Sequence, residues 1–142
     1  MKITEIPFQV ISIENDGFHL LTQGTINGKA ATFLIDTGAS RSVFDENAIK
    51  KYLNESRFED NEKLSTGLGT NTMPTKIVEI EEIGFGELII NNYLAVAIDL
   101  GHVTESYSKL GLPEINGVLG SDILYDFSCV INYKKKKLKF YY

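Results

Sequence analysis

The sequence predicts a mostly β fold. Short apolar or alternating runs dominate it, turn residues recur about every 8–12 residues, and stretches with helical periodicity are few and short. IPFQVISI (6–13) and FHLLTQGTI (18–26) flank Asp16-Gly17 and read as a hairpin, because an Asp-Gly pair adopts the left-handed turn that joins antiparallel strands. Asn27-Gly28 makes the next tight turn, into the strand KAATFLI (29–35). A helix is expected at 45–53, with Asp45 as its cap and Ile49, Tyr52 and Leu53 on one side. The polar stretch 54–63 reads as a loop, and LSTGLGTNTMP (64–74), rich in Gly and Thr, as a mobile hairpin tip.

TKIVEIEEI (75–83) is a strand, followed by a turn at Gly84–Gly86, the strand ELII (87–90), a turn at Asn91-Asn92 and the strand YLAVAIDL (93–100). Residues 101–116 are expected to form an irregular connection. SDILYDF after Gly120 suits a short helix, and FSCVINY and LKFYY close the chain as a hairpin across Lys134–Lys137. NGKAATFLIDTG (27–38) and NNYLAVAIDLG (91–101) echo each other, which predicts two similar β units.

A length of 142 residues suits one domain, 1–142, able to bury roughly 68–70% of its unfolded surface. A net charge of −5 gives no reason to expect nucleic acid. KKKKLK (134–139) reads as a solvated turn, since no aromatic platform is interleaved with it. Cys129 is the single cysteine, so no intrachain disulfide can form, and it reads as a small buried hydrophobe. Glu5 and Pro7 stand where a signal peptide would be apolar, and no apolar run approaches the ~20 residues of a membrane span. A cytoplasmic protein without membrane contact is expected.

FLIDTGAS (33–40) carries the chemistry. A carboxylate leaves an apolar strand and is followed by small residues, as suits a charge held in a confined, partly dry turn and managed by backbone donors. Gly38 lets the backbone bring its N–H close to Asp36, Thr37 offers a hydroxyl, and Ala39 leaves space. Amide hydrolysis needs both a base and an acid, and two carboxylates ~3 Å apart supply them by sharing one proton. With a single Asp-Thr-Gly, a second copy of the chain would have to bring the other carboxylate.

FLIDTGAS together with the later NGVLGSDIL resembles the retropepsin-type aspartic proteases, the single-lobe, dimeric relatives of pepsin, over residues 18–133. The resemblance implies a closed, orthogonal β-barrel-like lobe with one or two short helices. It implies that Asp36 is catalytic, that Thr37 holds two loops together across a dimer, and that Gly38 and Ala39 support the same loop. Val118, Leu119 and Gly120 would thread beside Asp36 in a ψ-shaped arrangement, and Gly67, Leu68 and Gly69 would form a flap over an extended peptide substrate. A homodimeric endopeptidase without cofactor or metal follows from the resemblance.

Two alternatives stand beside it. IDTGASRS also resembles the phosphate turn of sugar kinases and actin, but that fold needs two large α/β domains. A retropepsin-fold module that dimerises or binds peptide without cutting it keeps every motif. Metal, serine and cysteine chemistry find little support: His19 and His102 are far apart in sequence and read as ordinary strand or loop residues. Asp99, Asp122 and Asp126 read as solvated or capping residues.

Overall fold

Alternation along Ile3–Ser12 (β1) turns Thr4, Ile6 and Phe8 inward and leaves Glu5, Pro7 and Gln9 exposed. The structure, a computed structural model, describes residues 1–12, 15, 17–53, 58–60 (backbone alone) and 75–142. After β1 come β2 (Phe18–Ile26), β3 (Lys29–Ile35), β4 (Val43–Asp45), β5 (Phe58–Asp60), β6 (Lys76–Phe85), β7 (Leu88–Ile98), β8 (Gly117–Leu119), β9 (Val130–Asn132) and β10 (Lys137–Tyr141). Two helices, α1 (Gly101–Ser108) and α2 (Ser121–Asp126), flank β8. The expected flap at 64–74, with Gly67, Leu68 and Gly69, lies outside the described residues.

The sheet order is β5-β6-β7-β4-β8-β3-β2-β1-β10-β9, and a further β6–β2 pairing closes six strands into a barrel. That closing contact, Thr25↔Gly84 and Ile26↔Ile83, is where two hairpins cross. Glycines stand on both strands there because the backbones nearly touch: a Cβ on Gly24 would lie 2.6 Å from the Gly84 carbonyl oxygen. Inside, Phe33 packs edge-on against Phe44 and Phe85, and Phe85 stacks on Phe140 at 5.7 Å. All four rings are fully buried, a large apolar payload in interlocking geometry.

The internal echo is a structural repeat. Hairpin β2–β3 corresponds to β6–β7, β8 lies parallel to β3, and β4 lies parallel to β7. Asp36 and Asp99 both follow a strand and both accept the N–H of the Gly two residues on, at 2.9 and 2.8 Å.

Several expectations give way to tertiary contacts. The helix expected at 45–53 is strand β4 followed by one 3-10 turn at Ile49–Lys51. Asp45 is not the cap of that turn, whose N-cap position is Ala48: it ends β4, accepting the Ala48 N–H at 2.8 Å with one oxygen and the Leu100 N–H, also at 2.8 Å, with the other. Asn27 Nδ2 donates to the Tyr52 carbonyl and Tyr52 Oη donates to Ala30 O, so the chain is fastened to the barrel where a longer helix would need its own bonds. Residues 58–60, expected in a loop, pair with β6.

Asn91-Asn92 is no turn. β7 runs straight through it, and Glu82↔Asn91 and Ile80↔Tyr93 keep one register on either side although Asn92 has φ 53°. Within 101–116, expected to be irregular, lies α1, which packs through Tyr107 and Val103 on Ile11, Leu21, Leu34 and Ile115 outside the barrel. Only Tyr107 of that helix is fully buried, so its apolar periodicity is too thin to see in the sequence. Among the described residues no helix is long and apolar enough to cross a membrane.

Candidate active site

β3 ends in the barrel wall, with Ile35 paired to Leu20 on one side and Leu119 on the other. Asp36 continues that ladder by one bond, donating its N–H to Leu119 O at 3.0 Å. The chain then turns back on itself. Asp36 Oδ1 accepts the Gly38 N–H at 2.9 Å, and Asp36 O accepts the Ala39 N–H at 3.2 Å. The carboxylate is therefore oriented by backbone, as the small residues after it imply. It is not confined, however: Asp36, Thr37 and Gly38 are exposed in the single chain.

β8 braces this loop from beneath. Val118 and Leu119 are buried, and Gly120 passes so close to the loop that a Cβ there would lie 2.7 Å from the Arg41 carbonyl carbon and 2.9 Å from Ala39 O. Two further bonds tie the segments together: Ser121 N–H to Ala39 O and Gly120 N–H to Ser42 Oγ, both at 2.8 Å. The Asp36–Ala39 loop and the remote Gly120 thus form one hydrogen-bonded unit.

Beside the loop is a cavity of about 360 Å³. Leu20, Leu34, Ile35 and Ile131 give it apolar walls, Asp36 and Thr37 reach it from the loop, and Phe18, His19 and Tyr133 complete it. A cavity with apolar side chains in its wall, adjoining one oriented carboxylate, can hold an apolar side chain close to that carboxylate.

The sequence model for the family described as aspartyl protease matches residues 22–123, from β2 into α2. The chain belongs to the aspartyl protease family. Among solved structures, the chain is similar to a retropepsin-like aspartic protease from Rickettsia conorii, with TM-score 0.58 and 18% identity, covering 98% of this chain and 90% of that one. It is also similar to the retroviral protease-like domain of Ddi1 from Leishmania major, with TM-score 0.55 and 14% identity over 86% and 87% of the two chains. At such identities the likeness is one of fold. No curated protein matches the sequence.

The lobe holds site-adjacent residues that its motifs do not announce. His19 reads as an ordinary strand residue, yet it shares the cavity with Asp36 and sets its ring edge-on to Tyr107 at 6.0 Å. Hairpin register contains the signal: Ile26↔Lys29 runs up to Leu20↔Ile35, and one further step sets His19 opposite Asp36.

Asp122 is no solvated cap. Its Oδ1 accepts both the Ser42 N–H and the Ser42 hydroxyl, at 2.8 and 2.7 Å, and its Oδ2 accepts the Tyr93 hydroxyl. Burial pushes the Asp122 carboxyl up, but the hydrogen bonds from Tyr93, Ser42 and the backbone outweigh it and hold the group below its ordinary value. Burial, helped by Asp122, pushes the Tyr93 hydroxyl up. Cys129 is half-buried against the core, and burial pushes its thiol up to about 11, so it is a poor nucleophile at neutral pH.

Proposed function

We propose that this chain is an aspartic endopeptidase that acts as a homodimer, with two Asp36 carboxylates sharing one proton across a two-fold axis. The observation that carries the reading is one oriented, exposed Asp36 beside a cavity with apolar side chains in its wall, in a lobe whose repeat-related Asp99 heads a helix instead of an open loop. A lone carboxylate cannot be acid and base in the same step. A pair of carboxylates that cannot both ionise can.

In the proposed reaction the ionised Asp36 takes a proton from water as its oxygen attacks the peptide carbonyl carbon. The protonated Asp36 gives its proton to the carbonyl oxygen. In the tetrahedral species a proton then passes to the nitrogen, the C–N bond breaks, and acid and amine leave. The substrate lies extended, with an apolar side chain in the cavity beside the cut.

The second copy has a natural seat. The sheet ends at β9, which has no outer strand partner among the described residues. Val130, Tyr133 and Phe18 are exposed there at 48%, 64% and 74%, and the latter two reach the cavity that Asp36 lines. A partner seated there would cover apolar surface and supply the dryness that the single chain lacks around Asp36.

Specific activity toward an unstructured, apolar-flanked peptide should rise with protein concentration through the dimerisation range, as mass action requires. Full activity in a strictly monomeric species would overturn the dimer. Peptide binding without cleavage at every concentration would make the lobe a binding module instead.

The pH–rate profile should be a bell. At low pH both Asp36 carboxyls are protonated and the base is lost; at high pH both are ionised and the acid is lost. A profile with a single limb from pH 3 to 9 (about that range suffices) counts against a shared proton.

A further inference from the structure

Ser42 is almost wholly buried at 1% exposure, and its side chain has a definite place in a chain of hydrogen bonds. Tyr93 on β7 donates its hydroxyl to Asp122 Oδ2. Asp122 Oδ1, on the first turn of α2, accepts both the N–H and the hydroxyl of Ser42. Ser42 Oγ in turn accepts the Gly120 N–H at 2.8 Å. Gly120 and its neighbours then hold the Asp36 loop through Ser121 N–H to Ala39 O and Asp36 N–H to Leu119 O. The Tyr93 hydroxyl therefore connects through one carboxylate and one hydroxyl to the segment that fixes Asp36.

We propose that Asp122 is the positioning residue of the Asp36 loop, acting in its ionised form through Ser42, and that Tyr93 fixes Asp122. The ionised form is the one that fits, because the polar groups on it, Ser42 N–H, Ser42 hydroxyl, Tyr93 hydroxyl and the Ile123 backbone N–H, all donate. A protonated carboxyl has one oxygen that must donate, and no acceptor faces it in this set.

The other half of the lobe uses a similar device: buried Asp45 ties Ala48 N–H to Leu100 N–H beside Asp99. There the carboxylate bonds backbone alone. Among the described residues, a serine hydroxyl carries the tie onward to a glycine with no room for a Cβ only in the first half.

The charged and titratable groups around Asp122 are few. Tyr93 faces it from β7, Ser42 from the loop, and the Arg41 guanidinium acts on Tyr93 while donating from Nη2 to Leu94 O at 2.9 Å. Hydrogen bonding holds the Asp122 carboxyl below its ordinary value despite burial. A carboxyl lowered on folding stabilises the fold above the unfolded value, and that contribution is lost as pH falls through the folded one. Loop order should therefore fade at the acid end while the barrel persists.

The test is amide exchange on the whole chain, read at Ala39, Gly120 and Ser121 and compared with the β2–β3 ladder, for wild type, Asp122→Asn, Tyr93→Phe, Ser42→Ala and Ser42→Thr. Protection at the three loop amides should fall about ten- to a hundredfold in Asp122→Asn and Ser42→Ala, the size of one lost hydrogen bond to a charged group, with the ladder unchanged. Tyr93→Phe should lose less, and Ser42→Thr, which keeps the hydroxyl, should restore protection. In wild type the same amides should lose protection on acidification before the ladder does.

Wild-type protection in a folded Asp122→Asn, or a loss spread equally over the ladder, overturns the proposal. Should Asp122→Asn fail to fold, Tyr93→Phe and the wild-type acid series decide in the same way. In active protein these variants should lower kcat more than they raise KM. The kinetic readout rests on the proposed peptidase activity, but amide exchange does not. A chain that cuts nothing and still shows the loop-specific loss keeps Asp122 in its role while the peptidase reading falls.

Discussion

Asp36→Asn is expected to lower kcat by about 10⁴-fold or more, because in a dimer it removes general acid and general base together. The fold should not notice. Asp36 is exposed, so no core packing changes, and the Asn side-chain oxygen can still accept the Gly38 N–H that now bonds Oδ1 at 2.9 Å. Unfolding free energy should stay within about 0.5 kcal/mol of wild type, as for surface substitutions in general. Peptide affinity should survive, since the apolar walls of the cavity are untouched. Wild-type turnover in the Asn variant would remove Asp36 from the chemistry altogether.

Gly120→Ala should be the most damaging single methyl group at the site, costing about 3 kcal/mol, the upper part of the range for overpacking. Gly120 has ordinary extended backbone, φ −98° and ψ −179°, so conformational freedom is not the reason for glycine here. Space is. The added Cβ would lie 2.7 Å from one backbone atom of Arg41 and 2.9 Å from two backbone oxygens, and backbone cannot swing aside as a side chain can. Relief requires separating the loop from β8, which breaks the bonds from Gly120 to Ser42 and from Ser121 to Ala39, so activity should fall with stability.

Gly28→Ala makes the contrast. Gly28 has φ +80° and nothing within 4 Å of a Cβ, so the cost is backbone strain of about 1 kcal/mol, far from the loop. Urea midpoints of the two variants, with turnover measured alongside, separate them. Equal midpoints would mean that the loop yields to a methyl group at Gly120 without separating from β8.

Much of the barrel is legible because its determinants are local. Asn27-Gly28 adopts left-handed turn angles of 50° and 80°, and the strands on either side alternate as their registers require. The repeat of strand plus Asp-x-Gly is legible for the same reason, since each copy closes its own turn within three residues. Where a residue's partner is remote, legibility fails. Ile49, Tyr52 and Leu53 have helical spacing, but Asn27 and Ala30 take the hydrogen bonds. Asn91-Asn92 looks like a turn, but β6 alongside it continues the ladder and overrides the local preference. Tyr107 alone could not announce α1, whose apolar neighbours lie on β1, β2 and β3.

The sequence by itself determined the β class, the hairpins, and the one carboxylate that leaves a strand into small residues, because periodicity and turn chemistry act over a few residues. Only the tertiary structure decided that Leu119 pairs with Ile35, that Gly120 is pressed against Arg41, and that Asp122 anchors Ser42 eighty residues away. It alone left Asp36 exposed at the end of its strand. Hydrogen-bond satisfaction and exclusion of volume are settled between segments, and a chain read in order carries no distances between them.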